Sequence, residues 1–142
     1  MVGVAAVAGL FTVMAPVSAQ GSQPVTIGIA NLGPHPSLTR TMVGFKAEMA
    51  REGYVEGKNV NYVYSDANFT QALMPQMFSQ ILSKDPALIL TLTTSVSEVA
   101  LSAVADHHIP LVFAEVTDPV AAALRQAGLT PGWTHGSESL AG

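Results

Sequence analysis

Asp85 to Ala105 reads DPALILTLTTSVSEVALSAVA, and this stretch decides the fold. Ala87 to Leu92 is a short apolar run bounded by a turn and a helical pattern, which fits a strand buried on both faces of a parallel sheet. The run turns polar at Thr91, Thr93, Thr94 and Ser95. From Val96 onward the apolar residues recur at Val96, Val99, Ala100, Ala103 and Val104, one face of a helix that a Thr or Ser would cap. The carboxyl end of a strand therefore meets the amino end of a helix. Free N–H groups, the positive end of the helix dipole and hydroxyl donors converge at such a junction, which suits an anionic group such as a carboxylate.

The flanking chain repeats the alternation. Val25 to Ala30, VTIGIA, reads as the first strand, and the turn Asn31-Leu32-Gly33-Pro34-His35-Pro36-Ser37 forbids regular structure until a helix begins near Ser37. Leu38, Met42, Phe45 and Met49 give that helix one buried stripe, ending at Gly53. Val60 to Tyr64 alternates in the manner of an edge strand with one wet face. A polar loop with possible caps at Ser65, Asp66, Asn68 and Thr70 leads to a stripe at Leu73, Met77 and Ile81. After the central strand and helix, Pro110 to Phe113 reads as a fourth strand, and Asp118-Pro119 opens a helix through Leu124. The order βαβαβαβα predicts an α/β fold: a doubly wound parallel sheet, with helices on both faces and ligands at the carboxyl ends of the strands.

Composition narrows the function classes. Among 142 residues only 11% are charged and the net charge is −4, so clustered Lys and Arg for a nucleic-acid partner are lacking. The absence of cysteine rules out disulfides, thiolate metal sites, cysteine nucleophiles and a lipid-modified cysteine anchor. Met1 to Ala19 is apolar and small up to Val17-Ser18-Ala19, a cleavage pattern before Gln20, so a secretory signal peptide and a periplasmic location are expected. No Lys or Arg precedes Arg40, so either the true start lies upstream or the signal is weak. The remaining chain is enough for one domain, 20–127, and Gly128 to Gly142 is expected to be an irregular tail.

A family resemblance rests on Ile27-Gly28-Ile29, His35-Pro36-Ser37-Leu38, Gly44-Phe45, Gly53-Tyr54, Glu56-Gly57-Lys58-Asn59-Val60, Ile109-Pro110-Leu111-Val112-Phe113 and Val116-Thr117-Asp118-Pro119-Val120. In that order these segments resemble the periplasmic substrate-binding components of ABC importers, in the branch that includes tryptophan- and tyrosine-binding members. The resemblance implies the amino-terminal lobe of a type I periplasmic-binding-protein fold, an ABC permease as partner, and a small organic solute, an amino acid among the candidates, trapped between two lobes. It covers most of one lobe and departs from the family at Pro131-Gly132-Trp133-Thr134-His135-Gly136, so the second lobe is expected to be absent from this chain.

Several residues are candidates for the site. Thr93, Thr94 and Ser95 suit both helix capping and anion binding, which share one geometry. Asp118 beside Pro119 reads as an N-cap, yet Glu115, Thr117 and Asp118 end a strand where a carboxylate could hold an ammonium. Asn31 would line the wall, and His35 between two prolines reads as a turn residue. His107 and His108 lie at the opposite end of a strand and point to opposite faces, so no metal is implied there. No cofactor is implied either. A binding module without chemistry is the leading class, with a ligand sensor or non-functional remnant as the alternative. An enzyme is disfavoured, since no Gly-rich phosphate loop and no Ser with His and Asp beside it stands out.

Overall fold

The computed structural model describes residues 23–118 and the pair Thr130–Pro131. The expected signal peptide at 1–19, the helix after Pro119 and most of the tail lie outside the described residues.

β1 (Val25–Asn31) lies inside the sheet, with its backbone paired on both sides. It runs parallel to β2 (Val60–Asp66) in the register Val25↔Val60 to Asn31↔Asp66. On its other side it runs parallel to β3 (Leu88–Leu92), with Ile27 opposite Leu88 and Ala30 opposite Thr91. β3 pairs with β4 (Leu111–Ala114), and β4 with β5 (Thr130–Pro131), so the order is β2-β1-β3-β4-β5, all parallel. β2 thus takes the edge position that its alternating pattern predicts. β5 falls inside the segment read as irregular, and two residues are too few to carry a periodic signal.

Right-handed crossovers distribute the helices. The step from β1 to β2 runs one way across the sheet, and the steps from β2 to β3 and β3 to β4 run the other way, so α1 (Pro36–Arg51) covers one face while α2 (Met74–Leu82) and α3 (Thr94–Ala103) cover the opposite one. The two cores reflect this. Ala30, Ile89 and Leu111 pack with Met77, Phe78 and Ile81 of α2 and Val96 and Ala100 of α3. Their sequence neighbours Ile29 and Leu90 pack with Leu38, Met42 and Phe45 of α1.

Local chemistry explains the helix ends. His35 is the N-cap of α1: its Nδ1 accepts from the Ser37 N–H at 3.2 Å, and Pro36 takes the first helical position, where its missing N–H costs nothing. Gly53 ends the helix at φ +95, in the left-handed region that glycine enters freely. Of the expected α1 stripe, Leu38 is buried and Met42, Phe45 and Met49 are half-buried. Of the expected α2 stripe, Met77 and Ile81 are buried, and only its first position moves, from Leu73 to Met74. Leu73 is 41% exposed because the chain enters α2 through a single tight turn, Gln71–Leu73, which sets Leu73 off the buried face and puts Met74 onto it. The expected caps before α2 are also replaced: Asp66 Oδ1 accepts from the Asn68 N–H at 2.8 Å, and Thr70 makes no side-chain cap bond.

Candidate ligand-binding site

The sheet reverses its winding between β1 and β3, and the crevice beyond their carboxyl ends is the place where open α/β sheets take ligands. Three loops meet there: residues 32–35 after β1, Thr93 between β3 and α3, and residues 115–118 after β4.

Thr93 occupies the N-cap position of α3 at φ 85, ψ 157. That region is nearly exclusive to glycine, and a β-branched residue held in it carries roughly 1–3 kcal/mol of strain. Thr93 makes no side-chain cap bond, which corrects the expectation of hydroxyl capping. In this conformation its Oγ1 instead lies 3.4 Å from Ser95 Oγ. The first N–H groups of α3 are thus left without a capping hydroxyl from Thr93, and the helix dipole adds its positive end. The backbone of the turn is fixed on both sides: the Thr93 N–H donates to the Ala114 carbonyl at 3.0 Å, and the Thr93 carbonyl accepts from the Ser97 N–H at 3.1 Å and the Ser97 hydroxyl at 2.7 Å.

The next loop is tied to the first. The Thr117 N–H donates to Thr94 Oγ1 at 3.3 Å, bringing the β3 and β4 loops together. Thr117 and Asp118 are exposed, while Thr93, Thr94 and Ser95 are half-buried. Glu115, at φ 57, accepts a short hydrogen bond from the Thr41 hydroxyl of α1, so the end of β4 is also anchored to the opposite helix layer.

Asn31 is placed differently from its neighbours in the crevice. It is only 2% exposed, and its Nδ2 donates to the Gly33 carbonyl at 2.9 Å and to the Tyr64 hydroxyl at 3.1 Å. Its Oδ1 is buried with no hydrogen-bond partner in the protein. Asn31 therefore joins the β1 loop to the end of β2, and does not share a bond with the Thr93–Thr117 group. Burial pushes the Tyr64 hydroxyl pKa above its ordinary value; the Asn31 bond lowers it, and Asp66 raises it further.

Three contributors escape the sequence reading. Thr41 sits between stripe positions of α1 and carries no signal of its own. Tyr64, 43% exposed, reads only as an edge-strand residue. Phe69, 54% exposed at φ 59, lays its ring over Gly33, where a Cβ would meet the ring carbons at 2.7 Å. An aromatic residue inside the polar loop SDANFT was the available signal. His107 and His108 are exposed before β4, away from this end of the sheet, and among the described residues no three His, Cys, Asp or Glu side chains converge as a metal site. Nor, among the described residues, is any helix long and apolar enough to cross a membrane.

The sequence pattern of the ABC transporter substrate binding proteins matches residues 26–142. This chain belongs to that family. A tyrosine-binding protein of Clostridioides difficile is 32% identical over 106 residues, covering 75% of this chain and 30% of its own length. Two solved structures share the fold. A conserved domain protein of Vibrio cholerae is 30% identical with a TM-score of 0.67, covering 72% of this chain and 34% of that one. An ABC domain of Streptococcus pneumoniae in complex with L-Trp is 25% identical with a TM-score of 0.64, covering 72% and 34%. The chain therefore spans about a third of the length of these relatives. Its parallel α/β sheet is the type I periplasmic-binding-protein lobe that the resemblance implied. Among its relatives in this family, one is named for binding tyrosine and one is solved with L-Trp bound.

Proposed function

We propose that this lobe forms one wall of an amino-acid-binding cleft in the solute-binding component of an ABC importer. The carrying observation is the junction of two loops through the Thr117 N–H and Thr94 Oγ1, which sets the amino end of α3 beside the exposed Thr117 and Asp118. The α3 N–H groups and the hydroxyls of Thr94 and Ser95 take the carboxylate of the solute. Thr117 and Asp118 take its ammonium. Thr93 shapes the turn, and Asn31 holds Gly33 and Tyr64 as the side wall.

No bond of the solute is broken in this reading. This wall holds both ends of the solute by itself, and closure of a second lobe over it tightens the capture, for which the longer relatives leave room. The segment Met1 to Ala19 directs export and is removed, leaving a periplasmic protein that delivers its solute to a membrane permease. Mass spectrometry of the exported chain should then find Gln20 at its amino terminus.

Thermal unfolding against a panel of L-amino acids tests the binding claim. A ligand that binds only the folded state raises stability by RT ln(1 + [L]/Kd), about 2.7 kcal/mol at a hundredfold excess over Kd. The expected result is a selective rise with an L-amino acid, recovered chemically unchanged. A flat response across the panel, or conversion of the solute, would sink the reading.

A further inference from the structure

The strained turn at Thr93 has a buried support that no binding role accounts for. Thr91 and Ser97 are 0% and 1% exposed, and their hydroxyl oxygens lie 2.8 Å apart. Ser97 Oγ is also 2.7 Å from the Thr93 carbonyl, to which it must donate, since a carbonyl only accepts. Its single proton is then spent. Thr91 Oγ1 must therefore donate to Ser97 Oγ, and its contact of 3.4 Å with the Val112 carbonyl is too long to compete for that proton. The protons run in one direction, from Thr91 to Ser97 to the Thr93 carbonyl. Chained hydroxyls of this kind polarise one another and strengthen the terminal bond.

We propose that Ser97, backed by Thr91, is the positioning residue of the ligand loop. With its carbonyl drawn toward the α3 interior and its N–H held by Ala114, the Thr93 residue is fixed at both ends and stays at positive φ. Its hydroxyl then faces Ser95 and leaves the first α3 N–H groups to the solute. Neither Ser97 nor Thr91 touches the solute. The functional half of the proposal rests on the reading of the α3 amino end as a carboxylate site, and the structural half does not.

Two readouts on the whole chain separate these halves. The intraresidue HN–Hα NOE of Thr93 is strong only at positive φ and needs no ligand. It should weaken in Ser97→Ala and, to a lesser degree, in Thr91→Val, and keep its parent strength in Thr91→Ser, which retains the hydroxyl. Titration with L-tyrosine and L-tryptophan should show at least a tenfold loss of affinity in Ser97→Ala for whichever amino acid the parent binds, with Thr91→Ser unchanged. Thr91→Val carries the test if Ser97→Ala does not fold. An unaltered Thr93 NOE in the folded variants overturns the positioning claim. A lost NOE with parent affinity overturns its functional half, and a parent that binds neither amino acid counts against the proposed function while the NOE alone decides the positioning.

Discussion

At the scale of single residues, two glycines of this chain have opposite meanings. Gly28 sits in central β1, where a Cβ would overlap Cγ2 of the fully buried Ile81 and lie 3.2 Å from Cγ1 of Ile89. Gly44 lies inside α1 with open space around the same position. Gly28→Ala should therefore destabilise by about 1–3 kcal/mol as an overpacked core position. Gly44→Ala should stabilise by roughly 0.5–1 kcal/mol, since it relieves the entropic cost of glycine in a helix interior. Urea denaturation of both variants checks the pair, and equal effects would contradict the packing. Tyr62 offers a second contrast. Its hydroxyl is buried without a partner, while its ring takes the Phe45 edge at 6.4 Å and the Lys46 ammonium at 4.5 Å. Burial, and then the Glu56 carboxylate, push its pKa above 10.0. The folded state thus favours the protonated phenol: this contribution is full below the ordinary tyrosine range and is lost as pH rises through the raised value. Tyr62→Phe keeps both ring contacts and removes the unpaired hydroxyl, so it should gain about 1 kcal/mol near neutral pH. Its stability should also fall less steeply than the parent's in alkaline unfolding, and an identical alkaline limb would refute this account.

At the scale of elements, the two helix layers are unequal. α1 has 16 residues and buries only Leu38, whereas α2 has nine and buries Met74, Met77, Phe78 and Ile81. Local opening follows buried apolar contact, so the amides of α1 should exchange with solvent faster than those of α2. Hydrogen-exchange mass spectrometry measures this directly, and equal protection would mean that α1 is held by something other than the face seen here. The same inequality explains what the sequence could show. The stripes of α1 and α3 and the continuous run of β3 were legible because one physical rule, periodic burial, wrote each of them. The Leu73 to Met74 shift was not legible, because it depends on the tight turn that feeds α2. At the site, the hydroxyl cluster Thr93, Thr94 and Ser95 could be read from composition at a strand end. The positive φ of Thr93 could not, since Ala114 holds the peptide unit before its Cα and Ser97 the one after it, from different elements. Asn31 reads as the first residue of the loop but ends β1, and its hydrogen bond reaches Tyr64, 33 positions away.

At the scale of the whole molecule, the lobe divides its polar groups by charge preference. N–H groups and hydroxyls gather at the start of α3, and the carboxylates of Glu115 and Asp118 follow β4. A zwitterion suits both halves, whereas a cation without a carboxylate suits only one. Tyramine is L-tyrosine without its carboxylate, and 3-(4-hydroxyphenyl)propionate is the same skeleton without the ammonium. If the proposed assignment holds, L-tyrosine should raise the unfolding midpoint most. At a tenfold excess over Kd the stabilisation is about 1.4 kcal/mol, a shift of several degrees for a domain of this size. Ser95→Leu should reduce the response to L-tyrosine and to the propionate but leave any response to tyramine as it was, because only the first two present a carboxylate to α3. Asp118→Asn should weaken the response to L-tyrosine and to tyramine and leave that to the propionate, which has no ammonium, as it was. Differential scanning fluorimetry of the three ligands against the parent and both variants gives a complete grid. A tyramine shift as large as that of L-tyrosine would remove the α3 terminus from the site, since a positive helix end and its hydroxyls have no preference for a ligand lacking the anion.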